Sequence, residues 1–291
     1  MITPELLAQV RRLTIRSRRA VEQVFAGAYR SAFRGKGLEF SEVREYVPGD
    51  DVHTIDWNVT ARHGRPFVKR FDEERELTVV LALDLSGSLR FGSLAKSKRD
   101  TAAEAGALLA LAASRNRDRV GLLLFTDRIE HYLPPSKSRA RSLRIVRDLV
   151  AFEPRGTGTD LRGALVFLGR VLRRRAVLFI LSDWFADSFD QPLNHLARRH
   201  EIVAVEVVDP LEDALPARGL LQTRDLETGA TRLVDLASSS ARREWRGTRA
   251  RRQRALKETL TRARAGRIRV TCGSPVAPEL VRHFEQRAYP R

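Results

Sequence analysis

Cysteine is nearly missing from this chain: Cys272 is the single one among 291 residues. That excludes an intramolecular disulfide and a cysteine-built zinc site, and it suits a reducing cytosol. No apolar run approaches the roughly 18 residues that a membrane helix needs. The N-terminal stretch also lacks a secretory h-region, because Arg11 and Arg12 interrupt it early. A Gly-x-x-x-x-Gly-Lys-Ser/Thr loop is absent, which excludes nucleotide binding by a P-loop. Acidic residues are scarce beside basic ones: 36 Asp and Glu against 53 Lys and Arg, for a formal net charge of +17. A field of that sign draws phosphates, anionic lipids or acidic protein surfaces. An arginine-rich proteome produces the same balance without any nucleic-acid role.

What is present fits an ordinary globular protein, with 43% hydrophobic and 31% charged residues. At about 150 residues per domain, the length allows one large domain with extensions or two small ones. Residues 3–30 read as helix, with Pro4 near the start and Leu6, Leu7, Val10 and Leu13 as its apolar positions. A polar loop with Gly35 and Gly37 follows. Pro48-Gly49 marks a turn, and strand-like pieces fall around Ile55–Val59 and Pro66–Phe71. From Glu76 strands and helices alternate. Thr78–Leu83, Arg119–Phe125, Ala176–Leu181 and Ile202–Val208 are near-continuous apolar runs, as strands buried on both faces require. Ile129–Leu133 reads as an antiparallel edge strand. Helices are predicted at Lys96–Ser114, Ser138–Phe152, Asp160–Arg173 and Gln191–Arg199. After Pro210 come a hairpin at Leu220–Arg224 and Thr231–Val234, an arginine-dense helix at Ala237–Arg264, a strand at Arg267–Thr271 and a helix at Pro278–Arg287.

The alternation argues for an α/β fold: a doubly wound, Rossmann-like, mostly parallel central sheet with helices on both faces. Three units are expected: an N-terminal segment over residues 1–74, the main domain over 75–210, and a C-terminal α/β extension with the basic helix over 211–291. In such sheets ligands bind beyond the carboxyl ends of the strands.

Three strand ends or helix starts carry oxygen side chains. Asp84-Leu85-Ser86-Gly87-Ser88 places three of them at i, i+2 and i+4 where a buried strand runs out. Gly158-Thr159-Asp160 opens a helix, and Ser182-Asp183 closes another apolar strand. A hard divalent cation such as Mg²⁺ takes oxygen ligands of this kind and keeps positions open for water or a partner.

The set resembles the metal-ion-dependent adhesion site of von Willebrand factor A domains. The resemblance implies that Asp84, Ser86, Ser88, Thr159 and Asp183 surround one Mg²⁺ or Mn²⁺, some directly and some through water. That family often has Gly-Gly before the Thr, where this chain has Thr157-Gly158. Thr157 therefore rivals Thr159, which is preferred for its spacing to Ala164-Leu165. A second ordered set includes Gly37, Glu39-Phe40, Glu42, Arg44, Tyr46, Pro48-Gly49-Asp50-Asp51, Ile55-Asp56-Trp57, Thr60-Ala61-Arg62, Val68-Lys69, Glu74-Arg75-Glu76, and Asp118 to Leu122 with Phe125 and Asp127. It resembles the bacterial family called domain of unknown function 58, over roughly residues 30 to 200. The resemblance implies a frequent partner, a MoxR-type AAA ATPase, and a role in assembling or maturing other proteins.

Mostly neutral hydroxyl ligands leave such a cation under-neutralised, so an outside carboxylate from a protein partner completes it. A hydrolase would add a general base within reach of a metal-bound water, and none stands near the three segments. Ser86 and Ser88 lack a G-x-S-x-G elbow and a paired His. The expectation is a non-enzymatic, metal-dependent protein-binding adaptor in the bacterial cytoplasm. A nucleic-acid-associated basic protein and a metal-dependent hydrolase are the alternatives.

Glu45, Asp50, Asp51, His53 and Asp56 form an acidic cluster. It reads either as a second metal site or, better, as carboxylates paired with Arg44, Arg62 or Arg65. Arg44, Asp50, Asp51, Asp56, Trp57 and Arg62 also qualify as a docking surface. Ten Arg and Lys from Arg242 to Arg264 face only Glu244 and Glu258, which reads first as a solvated helix face. Trp57 and Trp184 are expected in the core or at its rim, and Cys272 as a small buried hydrophobe.

Overall fold

The computed structural model describes residues 4–21, 26–33, 39–72, 76–213, 215 and 219–288. The chain begins with helices α1 (Pro4–Ala20) and α2 (Ala26–Ala32), strand β1 (Glu39–Glu45), helix α3 (Trp57–His63) and strand β2 (Phe67–Asp72). The alternating part follows: β3 (Thr78–Asp84), α4 (Lys98–Arg115), β4 (Arg119–Phe125), β5 (Ile129–Ser136), α5 (Arg139–Ala151), α6 (Leu161–Val171), β6 (Val177–Ser182), α7 (Asp190–Ala197) and β7 (Glu201–Val208). It ends with α8 (Pro210–Asp213), β8 (Leu220–Arg224), β9 (Thr231–Asp235), α9 (Ser239–Arg262), β10 (Gly266–Thr271) and α10 (Val276–Ala288).

Six strands form the central sheet in the order β10-β7-β6-β3-β4-β5. All neighbours are parallel except β4 and β5. Pro134 and Pro135 sit in that outer strand, where missing amide donors are tolerated. Side chains alternate between the two faces. Val79, Leu81 and Leu83 of β3 join a core with α2, α4, α5 and α10, while Val80 and Ala82 join one with α6, α7 and α9. Each such Val or Leu, removed from water, contributes about 1.5–3 kcal/mol. This is the doubly wound, von Willebrand factor A-like arrangement that the resemblance implied.

The alanine-rich α4 packs closely on β3 and β4 because its small residues let the backbones approach. Its start is closed by a capping box between Ser97 and Asp100. Tyr29 of α2 reaches the sheet and donates to Asp118 Oδ2 at 3.0 Å. Phe33, Phe179 and Phe284 pack edge to face around it.

Residues 3–30 were expected as helix; α1 and α2 account for 4–20 and 26–32, and residues 3 and 22–25 lie outside the described residues. Ile55–Val59 was expected as strand but leads into α3. Asp56 Oδ1 accepts from Asn58 N and Val59 N, and Gly64 closes the helix in the left-handed region at φ 67°. These caps override the β-branched Ile55 and Val59. Beyond residue 210, β10 pairs in parallel with β7 and completes the central sheet. The Gly35 and Gly37 loop and Glu74-Arg75 lie outside the described residues. Among the described residues, no helix is long and apolar enough to cross a membrane.

Candidate metal centre

β3 and β6 lie side by side and end at the same rim, with Leu83 opposite Leu181. The chain after β3 turns sharply. Asp84 Oδ1 accepts from Ser86 N at 2.8 Å, and Asp84 Oδ2 accepts from Ser182 Oγ at 2.8 Å. Ser182 Oγ in turn accepts from Trp184 N at 3.0 Å. Trp184 adopts the left-handed region at φ 60°, an uncommon conformation for a large residue, directly after Asp183. Ser86 Oγ and Ser88 Oγ stand 3.1 Å apart. Asp84, Ser86 and Ser88 therefore converge on one point.

The loop carrying Thr159 is drawn to the same place. Gly87 N donates to Thr157 O at 2.7 Å. Behind it, Glu130 Oε1 accepts from Arg155 N and Gly156 N at 3.0 and 2.7 Å. A Cβ on Gly156 would overlap Asp127 Oδ1 and Thr126 Oγ1, so a larger residue there forces those side chains to shift. Asp160 N-caps α6 through Gly163 N. Of the two rival threonines, Thr157 contributes a main-chain carbonyl to the loop junction. Thr159 instead offers its hydroxyl, which donates to Glu227 Oε1 at 2.7 Å.

Asp183 stands beside Asp84 but is held differently. Its Oδ2 accepts from Lys98 Nζ at 2.7 Å, and its Oδ1 from Phe185 N at 3.2 Å. With both oxygens engaged, Asp183 would reach a cation through water. Lys98 is buried and also donates to Glu212 Oε1 at 2.7 Å. Burial works to lower its ammonium, but the two carboxylates prevail and its pKa is raised. Arg249 extends the chain of charge, 2.8 Å from Asp213 and 3.7 Å from Glu212.

Electrostatics at this rim favours a cation. Full burial, and next the charge of Asp183, push Asp84 from 3.8 up to about 7, against the opposing bonds from Ser86 and Ser182. The donors are carboxylate and hydroxyl oxygens, the chemistry that Mg²⁺ or Mn²⁺ accepts. The residues present therefore fit the implied ion: Asp84, Ser86, Ser88 and Thr159 as holders and Asp183 behind them. Lys98 and Glu227 had no signal in the sequence as members of this site. Lys98 reads there as an ordinary first-turn helix residue and Glu227 as a turn residue.

The acidic cluster is otherwise occupied. Asp50 takes Arg44 in a two-pronged pair at 2.7 and 2.8 Å, and its Oδ2 also accepts from Val47 N. Those bonds hold its carboxyl below the usual range. Asp51 caps the turn over Val52–Thr54, and Asp56 caps α3. Arg65 approaches Glu45 at 3.5 Å. These carboxylates serve turns and caps, and no group of three His, Cys, Asp or Glu stands ready for a metal among the described residues. Trp57, expected in the core or at its rim, is 70% exposed. Arg62 is exposed as well. Cys272 is buried and accepts from Thr101 Oγ1. On α9, Leu256 and Leu260 face the core while Arg243, Arg246, Arg251, Arg254 and Lys257 face solvent.

Comparison with known proteins places relatives around this chain. The family model described as "Protein of unknown function DUF58" matches residues 42–256. An uncharacterized protein of Mycobacterium tuberculosis (strain H37Rv) is 34% identical over 232 residues, covering 79% of this chain and 73% of the relative. Among solved structures, the conserved hypothetical protein BatB from Bacteroides thetaiotaomicron is similar at TM-score 0.47 and 14% identity, over 73% of this chain and 98% of that one. A von Willebrand factor type A protein from Catenulispora acidiphila is similar at TM-score 0.38 and 11% identity, over 76% and 44% of the two chains.

Proposed function

This chain belongs to the DUF58 family, and from that premise we propose that it is a non-enzymatic adaptor that grips a protein partner through a divalent cation. Asp84, Ser86, Ser88 and Thr159 hold the ion, and Asp183 supports it through water. When bound, Mg²⁺ or Mn²⁺ supplies positive charge and a coordination position that a carboxylate can fill. The supporting observation is the pairing of a fully buried Asp84, raised to about 7, with two hydroxyls that already touch at 3.1 Å. A buried carboxylate of that kind is costly unless a cation shares it.

Among the described residues, the serines and the lysine at the rim are engaged in ways that favour holding an ion over catalysis. Lys98 is tied between two carboxylates, and Ser86 and Ser88 bond to each other rather than to a base. A partner's Asp or Glu completes the ion, and the positive field of the chain draws acidic surfaces toward it. We propose a MoxR-type AAA ATPase as the partner class, on the family resemblance, and the bacterial cytoplasm as the place of work.

The test is a pull-down from native lysate with the full chain as bait. Capture should require Mg²⁺, be reversed by EDTA and be lost with Asp84→Asn. Capture that ignores EDTA and Asp84→Asn but collapses with salt would show instead that the arginine face binds polyanions.

A further inference from the structure

The hairpin of β8 and β9 ends on the candidate metal centre. The two strands form a sheet of their own, separate from the central one. Its stem is open to solvent, with Leu220 70% and Leu233 67% exposed. Its tip is not. Thr159 Oγ1 donates to Glu227 Oε1 at 2.7 Å. The Leu226 carbonyl lies so close to Gly87 that a Cβ on that residue would overlap it. Gly87 stands between Ser86 and Ser88, so the tip rests on the loop that carries both hydroxyls.

The turn itself is built to present that side chain. Asp225 Oδ1 accepts from Glu227 N and Thr228 N at 2.9 and 3.1 Å. Bonds to the main chain keep the Asp225 carboxyl low, so it is ionised when it holds the turn. Gly229 N donates to Asp225 O at 2.8 Å, and Gly229 takes a left-handed φ of 77°. Nothing in the packing of the stem explains a carboxylate at this tip. Contact with Thr159 does.

We propose that Glu227 is itself a ligand of the cation, supplied by the chain's own hairpin at the position the partner's carboxylate would take. This rests on the adaptor reading above. The consequence is competition: partner binding requires Glu227 to leave, and the exposed, separately paired stem lets the hairpin swing off without opening the central sheet. The partner segment that replaces it should resemble what it displaces, a tight turn carrying one Asp or Glu.

The test uses the full chain, with Mn²⁺ alone as the first probe and a synthetic peptide spanning Arg224–Arg232 as the second. Glu227→Gln keeps the shape and removes the charge. It should weaken Mn²⁺ binding about tenfold, because charge count sets affinity in such sites. In saturating Mg²⁺ the same variant should bind the peptide at least about tenfold more tightly than wild type, because the position is no longer contested. Gly87→Ala pushes the tip away sterically and should likewise expose the site to the peptide. Equal Mn²⁺ affinity and equal peptide binding in wild type and Glu227→Gln would overturn the role of Glu227 while leaving the metal-dependent adaptor intact. No Mn²⁺ binding by any of the three proteins would overturn both.

Discussion

Replacing Asp84 with asparagine should stabilise the protein in chelator at alkaline pH while removing cation binding. Asp84 is fully buried near Asp183, and its carboxyl rises from 3.8 to about 7. A folded value raised above the unfolded one means that this group's contribution is complete below about pH 4 and lost as pH rises through 7. About three units at 1.36 kcal/mol each put the full cost of ionising it at about 4 kcal/mol. Asparagine does not titrate and keeps the shape. Its oxygen can accept from Ser86 N and its amide can donate to Ser182 Oγ, which already accepts from Trp184 N. The stability difference between variant and wild type should therefore grow by about 2–3 kcal/mol from pH 5 to pH 8. For a chain of this size that is about 4–6 °C in melting temperature. His200 and His283, both held low by burial, titrate alike in the two proteins and cancel in the difference. Thermal melts in EDTA at both pH values measure it, and saturating Mg²⁺ should erase the advantage. A difference that is flat or shrinks with rising pH would refute the electrostatic reading of Asp84.

Lys98→Met should cost about 3–5 kcal/mol in urea unfolding, because it leaves Asp183 and Glu212 without their shared ammonium. An effect below about 1 kcal/mol would show that the pair is not a structural anchor. Gly156→Ala should destabilise by about 1–3 kcal/mol and weaken Mn²⁺ binding together, since its methyl would displace the loop that carries Thr159. Calorimetric Mn²⁺ titration beside a melt checks both effects. Trypsin should cleave after Arg224 and Arg232 more slowly in Mg²⁺ than in EDTA, because a seated hairpin tip restrains both sites. Equal cleavage rates would count against that seat.

The parallel strands were legible because burial on both faces turns them into uninterrupted apolar runs. Thr78–Leu83, Arg119–Phe125 and Ile202–Val208 match β3, β4 and β7 to within a residue or so. β1 was not foreseen: its register shifts between Phe40 and Glu42, so no unbroken period of two runs along its sequence. α3 was hidden because seven residues hold barely two turns, and its caps decide it rather than its periodicity. The three oxygen-bearing segments could be picked out because each follows or opens a regular element. Lys98 and Glu227 could not, because they reach the centre from 85 and 68 residues away from the groups they bond. Contacts of that range depend on the finished topology and leave no local pattern. The short C-terminal strand shows the same limit, since only its pairing with β7 places it in the main sheet.

Titration of the full chain with Mn²⁺, followed by electron paramagnetic resonance and repeated with Asp84→Asn, tests the central claim most directly. The wild type should bind a single ion that Mg²⁺ displaces, with affinity falling at least about tenfold in the variant. Identical Mn²⁺ binding by both proteins, or none by the wild type, would contradict it.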